Sequence, residues 1–334
     1  MRALHVHQVG PGVAVQDLGR PGYLAQGLTR GGAADLLAVH EGAALLSQSP
    51  DCAVFEMVGT GGTFEAGEDM VIALTGADMT ASIDGSAVAW NASHTLTAGA
   101  QLVVGPTREG TYGYLHVSGG FATDPVLGAR ATHQSTGLGA LVAAGDVLPV
   151  GKGSAQGGMT LPRDARFGGG TVRIVPSMQT EDFSPDTRQR FENTVFRRDP
   201  RANRQGVRMD SDEGFSNPDQ LSVVSEVIVP GDIQIAGDGA PFVLLAESQT
   251  TGGYPRIGTV LPCDLPRVVQ AAAGAEIRFG FVTLDEGIAA QARADAAWAA
   301  LRKSVSPLVR DPADMQDLLS YQLVGGVISA LDEG

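Results

Sequence analysis

Cysteine and lysine are both scarce in this 334-residue chain. The two cysteines, Cys52 and Cys263, lie far apart in sequence, and neither belongs to a CxxC pair. Structural zinc and iron–sulfur sites use clustered cysteines, so we expect no metal site, and two lone thiols fit a reducing compartment. Only Lys152 and Lys303 are lysines, which leaves few candidates for lysine chemistry.

A basic patch and a long apolar run are also missing. Lys and Arg total 23 against 37 Asp and Glu, giving a formal net charge of −14, and the cationic residues are scattered. Nucleic-acid binding needs clustered positive charge, so we expect none, and we interpret the acidity as a solubility feature. No stretch approaches the ~20 apolar residues that span a bilayer, and the N-terminus lacks signal-peptide features. The sequence therefore predicts a cytoplasmic protein that does not contact membranes.

Several familiar cofactor and catalytic signatures are absent. The chain has no GxxxxGK[ST] phosphate loop, no GxGxxG between a strand and a helix, no HExxH and no GxSxG elbow. We therefore expect this chain to bind no ATP through a Walker motif and to carry no biotin on a sequence of its own.

Glycine, by contrast, is abundant, with 45 residues, while charged residues make up only 18% of the chain. Many glycines with few charges favour tight turns and short strands over long helices. A chain of this length is long enough to form two hydrophobic cores. Strand candidates recur at regular spacing in both halves, which favours barrels or sandwiches over βαβ units. We predict a mainly β protein of two similar-sized domains.

The local signals also place turns and helices. Asp84-Gly85 predicts a hairpin turn joining strands at 80–83 and 88–90, because both residues tolerate positive φ. A second turn is expected at 107–111, between strands at 101–105 and 113–117. Helices are expected at 33–46 (with Asp35 at its start), near 187–191, at 265–270 and at 284–301.

Composition divides the chain into three parts. A glycine-rich stretch at 152–170 predicts a poorly ordered linker, so we place one domain at 1–152 and a second at 171–287. A helical extension follows at 288–334. Its apolar, acidic segment at 315–331 is interpreted either as a packing helix or as an element that docks a partner.

Four segments combine glycines with polar side chains that suit a binding site. In the first, Arg20 is placed to clamp a carboxylate, or to form a turn lock with Asp17. In the second, Asp78 follows an apolar strand, as functional residues and plain turns both do. The third contains Arg130 and His133, the latter either a structural residue or a candidate acid or base. The fourth places Arg204 and Arg208 around a glycine, which suits an anion but also a surface strand.

The fifth segment carries the strongest functional signal. After an apolar strand, residues 249–255 read Gln-Thr-Thr-Gly-Gly-Tyr-Pro. The paired glycines expose backbone N–H groups beside two hydroxyls and an amide, which fits a loop that binds an oxyanion or a carbonyl group. A purely structural turn needs far fewer polar side chains.

Together these five segments resemble one family, which includes the C-type subunit of 5-oxoprolinase, allophanate hydrolase subunit 2, and the carboxyltransferase A/B subdomain of urea carboxylase. The family pattern stands at 15–23 (Val-Gln-Asp-Leu-Gly-Arg-Pro-Gly-Tyr), at 73–78 (Ala-Leu-Thr-Gly-Ala-Asp) and unchanged at 249–255. It is approximated at 119–120, 125–132 and 203–209. The similarity covers about residues 10–151 and 171–287.

The resemblance implies two cyclophilin-like β-barrel domains and an active site at or near a surface shared with a B-type subunit, the C/D subdomain protein. An A-type subunit is implied as a third component, and ATP drives the opening of 5-oxoproline to glutamate. Two alternatives remain open. One is carboxyl transfer to urea or a related amide from biotin on a partner, and the other is a non-enzymatic antagonist of a histidine-kinase inhibitor.

The resemblance also yields an expected set of site residues. We assign catalysis to Gln249, Thr250, Thr251 and Asp78. Substrate binding is assigned to Gln16, Asp17, Arg20, Arg130, Arg204, Arg208, Gly252, Gly253 and Tyr254, and no metal ligand is assigned. The chain departs from the family at 30–35 and at Asn203 and Gln205, which leaves room for a different substrate.

Overall fold

Strands dominate both halves of the chain, as predicted. The structure is a computed structural model that describes residues 2–216 and 224–309. The first half contains β1 (Ala3–Val9), β2 (Ala14–Gln16), β3 (Val54–Val58), β4 (Thr60–Ala66), β5 (Met70–Ile83), β6 (Ser86–Ala87), β7 (Ala92–Leu96), β8 (Gln101–Val117), β9 (Val147–Pro149) and β10 (Met159–Thr160). The second contains β11 (Gly170–Val175), β12 (Phe196–Arg198), β13 (Gly206–Asp210), β14 (Glu226–Val227), β15 (Asp232–Ile235), β16 (Pro241–Leu244), β17 (Thr251–Gly252), β18 (Arg256–Val260), β19 (Glu276–Phe281) and β20 (Ser306–Pro307).

The first half is built on one eleven-stranded sheet with the path β20-β10-β7-β5-β8-β4-β1-β9, to which β2, β3 and β6 attach. The predicted hairpin is present, since Asp84 and Gly85 both have positive φ and Ile83 pairs with Ser86. Its second strand is β6 rather than 88–90. The turn predicted at 107–111 is wrong, because β8 runs unbroken through it. The pairing of β8 with β5 accommodates the polar residues there, because the register between the two strands shifts after Gly76.

The second half closes into a seven-stranded barrel, β11-β18-β15-β16-β13-β12-β19. Closure comes from a parallel pairing of β11 with β19, in which Gly170 lies opposite Ile277. Four phenylalanines cluster in the core of this half, with Phe191 stacked on Phe279 at 5.4 Å between ring centroids. The mainly β fold with few helices is therefore confirmed.

The α-helices are α1 (Leu36–Leu45), α2 (Pro185–Asn193), α3 (Leu265–Gln270) and α4 (Leu284–Ala300), and each lies where the sequence predicts a helix. Short 3-10 turns lie at Leu24–Gln26, Gln134–Thr136, Thr180–Asp182 and Leu301–Ser304. The Asp35 side chain accepts from Ala38 N and caps α1, and Thr283 and Glu286 form a capping box on α4. Among the described residues, no helix is both long and apolar enough to cross a membrane.

The chain returns from the barrel to the first sheet. Trp298 of α4 packs on His40 of α1 at 5.3 Å between ring centroids, and Arg302 donates to the Gln48 carbonyl at 3.0 Å. β20 then pairs with β10. The start of the extension is therefore held against the first half, while its segment at 315–331 lies outside the described residues.

The prediction of a poorly ordered linker at 152–170 is wrong for its second part. β10 joins the first sheet there, and Phe167 is buried. Arg166 is also buried and donates to Glu41 at 2.9 and 2.7 Å and to Asp35 at 2.8 Å. Glycine content predicted disorder, but the ion pairs of Arg166 with Asp35 and Glu41 hold the segment against α1.

A neutral histidine lies where α1 packs on β8. His116 is fully buried and shares a hydrogen bond of 2.7 Å with the Thr75 hydroxyl. Gly42 of α1 makes room for it, since a Cβ there would come within 2.2 Å of the imidazole. Burial lowers the pKa of His116 to about 3.

This histidine should make the fold sensitive to acid. Below about pH 6.5 the unfolded chain gains a proton at His116 that the folded chain does not bind. The contribution of His116 to the free energy of unfolding is therefore fully present above that pH. It falls by about 1.4 kcal/mol per pH unit below it. Urea denaturation at pH 7 and pH 5 should show this loss in the wild type and in a His7→Gln control. In His116→Gln this part of the loss, about 2 kcal/mol, should disappear. An equal acid loss in all three proteins would contradict the assignment.

Candidate functional site

The 249–255 loop is held by its backbone and presents its side chains outward. β17 pairs with β14, with Thr251 opposite Val227, and Ile228 N donates to the Thr250 carbonyl at 3.1 Å. Gln249 and Thr251 are exposed, and 51% of Tyr254 is accessible to solvent. The backbone is thus fixed while three side chains remain available to a ligand or partner.

A cavity of about 290 Å³ lies against this loop. It is lined by Gln205, Ile228, Gln234, Ala236, Phe242, Leu244, Ser248, Gln249 and Tyr254, none of which carries a charge. The motif glycine Gly252 borders Gln234, because a Cβ at Gly252 would come within 2.4 Å of the Gln234 side-chain nitrogen. Any larger residue at that position would displace Gln234.

Two polar groups of this cavity have no hydrogen-bond partner among the described residues. They are Nε2 of Gln234 and Oγ of Ser248, whose residues are 8% and 5% exposed. Neither was among the predicted site residues. The sequence did indicate that Gln234 faces away from the core. Side chains alternate along β15, so Ile233 lies in the core and its neighbour Gln234 lies on the opposite face.

Arg204, predicted to bind an anion, is already neutralised within the chain. Its guanidinium donates to Glu247 at 2.5 Å, to the carboxylate of Glu56, and to the Gly32 carbonyl at 2.5 Å. Burial acts to lower the pKa of Arg204, but the two carboxylates outweigh it and the pKa is raised. The residue connects the two halves of the chain and has no free charge for an external anion. Sequence reasoning missed both carboxylates.

The predicted residues of the first segment serve mainly as internal supports. Asp17 accepts from Gly19 N at 2.8 Å and from Arg130 N at 2.6 Å, while Gln16 donates to the Thr132 carbonyl at 3.0 Å. Arg20 is buried and donates to the Ala131 carbonyl, and its Nη1 has no described partner. Burial lowers the pKa of Arg20, although Asp17 opposes the shift.

Arg130 and Arg208 also have partners within the chain. Arg130 donates through Nε to the Thr123 carbonyl at 2.7 Å. Arg208 pairs with Asp210 at 2.9 Å and with Asp238 at 2.8 Å. Neither residue lines the cavity beside the 249–255 loop.

Asp78 lies at a different place from the loop. It lines a second cavity of about 320 Å³ with Trp90, Arg108 and Arg163, and its carboxylate is 3.6 Å from Arg163. The two cavities share no lining residue. The structure therefore brings Gln249 and Tyr254 together at one cavity, which Thr250 and Thr251 do not line, and it does not bring Asp78 to them.

His133 forms the centre of a buried polar cluster. Its ring nitrogens bond the Thr29 hydroxyl at 3.0 Å and the Thr136 hydroxyl at 3.0 Å, and Glu247 lies 3.8 Å away. Burial lowers the pKa of His133 despite the nearby carboxylate. This arrangement suits a neutral structural histidine. In the described part of the chain, no group of three His, Cys, Asp or Glu residues is placed to hold a metal ion.

Comparison with known proteins decides the family. The model of the carboxyltransferase domain, subdomains A and B, matches residues 26–281. The chain belongs to this carboxyltransferase-domain family. The matched range contains the 249–255 loop and all residues of the cavity beside it, and it ends with the last strand of the barrel.

Relatives within the carboxyltransferase-domain family include two bacterial proteins that are named as the C-type subunit of 5-oxoprolinase. The Escherichia coli protein is 29% identical over 292 residues, which are 86% of this chain and 94% of that protein. The Haemophilus influenzae protein is 30% identical over 281 residues, which are 81% of this chain and 89% of that one. The chain thus matches almost the whole length of both relatives.

The crystal structure of the Kluyveromyces lactis urea amidolyase has the same fold over 93% of this chain, with a TM-score of 0.81 and 20% identity. This chain corresponds to only 21% of that much longer protein. At this identity the similarity supports the fold of the carboxyltransferase-domain family and nothing about the reaction.

Proposed function

We propose that this chain is a subunit of an ATP-dependent 5-oxoprolinase, a complex that opens the cyclic amide of 5-oxoproline to glutamate. The observation that supports this most is the match to the C-type subunit of 5-oxoprolinase over 94% of the length of the relative from E. coli. This chain has no Walker-type phosphate loop, so in the proposal ATP is used by the complex and bound by another of its components.

The proposed active site is the 249–255 loop with its adjoining cavity. Opening an unstrained amide requires donors that stabilise negative charge developing on its carbonyl oxygen. Gln249, Thr250 and Thr251, with the backbone at Gly252 and Gly253, can supply such donors. Because Asp78 lines a separate cavity, we assign the catalytic role to the loop and leave Asp78 outside it.

Partner subunits complete this site in the proposal. Val227, which lies opposite Thr251, and Tyr254 of the loop are 57% and 51% exposed, and exposed apolar surface is typical of protein interfaces. We assign this surface to a B-type subunit, and the enzyme is completed by an A-type subunit. The chain alone is then inactive, because its half of the site is open.

The loop assignment predicts a loss of activity without a loss of assembly. In the co-expressed complex, Gln249→Ala/Thr251→Ala should lower ATP-dependent glutamate formation at least about tenfold, because both side chains contribute charge stabilisation. Both are exposed, so the fold should be retained. The control is Thr97→Ala/Gln101→Ala, an exposed pair on the first sheet that should keep wild-type activity.

Three outcomes would count against the proposal. No glutamate formed by the wild-type complex, under conditions where subunits from another source form it, would exclude the 5-oxoprolinase assignment. A requirement for biotin with carboxylation of urea would support the carboxyltransferase alternative. Rescue of an inhibited histidine kinase, retained in the double variant, would support the non-enzymatic one.

A further inference from the structure

The cavity beside the 249–255 loop contains hydrogen-bond donors but no charge. 5-Oxoproline has two polar ends, an uncharged ring amide and a carboxylate. Burying a carboxylate among apolar walls without a cation is strongly unfavourable, whereas an uncharged amide needs only hydrogen bonds. The lining residues therefore suit the amide end of such a molecule and not its carboxylate.

The two groups that have no partner among the described residues suit a carbonyl oxygen. Ser248 Oγ and Gln234 Nε2 are both hydrogen-bond donors, and a carbonyl oxygen can accept two such bonds. Leaving buried polar groups unpaired is unfavourable, so native structures pair them unless a ligand or water does so. Both residues line the same cavity, beside the family's glycine pair, which indicates a ligand there.

The rest of the cavity is consistent with a small ring. Ile228, Phe242 and Leu244 form apolar walls that suit the methylene groups of a five-membered lactam. The four arginines predicted to bind substrate do not line it. Arg204 is neutralised by Glu56 and Glu247, and the other three lie elsewhere.

We propose that this cavity binds the uncharged ring amide of the substrate, with Ser248 and Gln234 donating to its carbonyl oxygen. The substrate carboxylate then points out of the cavity, past Tyr254, and takes its cationic partner from another component of the complex. This inference rests on the proposed function for the identity of the substrate. The recognition of small uncharged amides by the cavity can be tested separately.

An uncharged lactam provides the probe. In the assembled complex, 2-pyrrolidinone should inhibit 5-oxoproline opening competitively. Ser248→Ala and Gln234→Met should each raise its inhibition constant and the KM for 5-oxoproline together, by about fivefold to tenfold per lost hydrogen bond. Ser86→Ala and Gln101→Met, at exposed positions on the first sheet, are the matched controls and should change neither constant.

Stability separates a binding role from a structural one. Ser248→Ala removes a hydroxyl without a described partner, so its thermal midpoint should equal or exceed that of the wild type. An inhibition constant unchanged in both cavity variants would overturn the proposal. So would a raised KM for 5-oxoproline with unchanged inhibition by 2-pyrrolidinone, because that pattern indicates recognition of the carboxylate.

A binding measurement distinguishes failure of this inference from failure of the proposed function. If the wild-type complex does not open 5-oxoproline, the 5-oxoprolinase assignment fails. Saturation-transfer NMR of 2-pyrrolidinone with the same complex then still decides the cavity assignment. Binding that Ser248→Ala and Gln234→Met weaken supports it, and absent binding, or binding that both variants retain, overturns it.

Discussion

Replacing Arg204 with methionine should lower the free energy of unfolding by about 3–5 kcal/mol. The Arg204 side chain is 7% exposed, and it forms ion pairs with Glu56 from the first half and Glu247 from the second. Methionine fills similar space but leaves two buried carboxylates facing each other without a cation. Urea denaturation followed by circular dichroism at pH 7 measures the change.

An exposed ion pair gives the control for this prediction. The Arg197 and Glu276 side chains, 64% and 55% exposed, pair at 3.9 Å, and Arg197→Met should cost about 0–1 kcal/mol. Adding Glu56→Gln to Arg204→Met removes one of the two unpaired buried carboxylates and should restore part of the lost stability. Equal effects of the two arginine substitutions, or no restoration in the double variant, would contradict this account.

Arg166→Met should also lower the free energy of unfolding by about 3–5 kcal/mol, because it too leaves buried carboxylates without their cation. Its guanidinium holds Asp35 at the start of α1 and Glu41 within it. Burial opposes the charged form, but the two carboxylates outweigh it and raise the pKa of Arg166. The substitution should also release the 152–170 segment, which contains the residue.

Two measurements check the Arg166 prediction. Urea denaturation gives the stability loss, and limited proteolysis should show new cleavage within 152–170 in the variant alone. Arg163→Met is the control, because the Arg163 side chain is 45% exposed and its ion pair with Glu109 is solvated. A wild-type cleavage pattern in Arg166→Met would mean that the arginine does not hold the segment.

Secondary-structure elements whose sequence signals lie within their own few residues could be predicted. α3 has the predicted bounds, and α1 begins directly after Asp35. Capping and periodicity act over a few residues, so one segment contains the whole signal. The ordered 152–170 segment could not be predicted, because its partners Asp35 and Glu41 lie more than a hundred residues earlier.

The candidate site likewise has a part that could be predicted from local sequence and a part that could not. The 249–255 loop was identified from its own residues, whereas the role of Arg204 depends on Glu56, 148 positions away. An arginine beside a glycine looks the same in sequence whether its charge is free or paired. Ser248 was overlooked because only the fold shows that its hydroxyl has no described partner.

The parallel pairing of β11 with β19 also constrains the order of folding. These are the first and last barrel strands along the chain, so the contact that closes the barrel has a large sequence separation and forms slowly. Until it forms, β11 and β19 are edge strands that can pair with other molecules. A fragment that ends before β19 therefore contains most of the barrel but cannot close it, and we expect such fragments to aggregate.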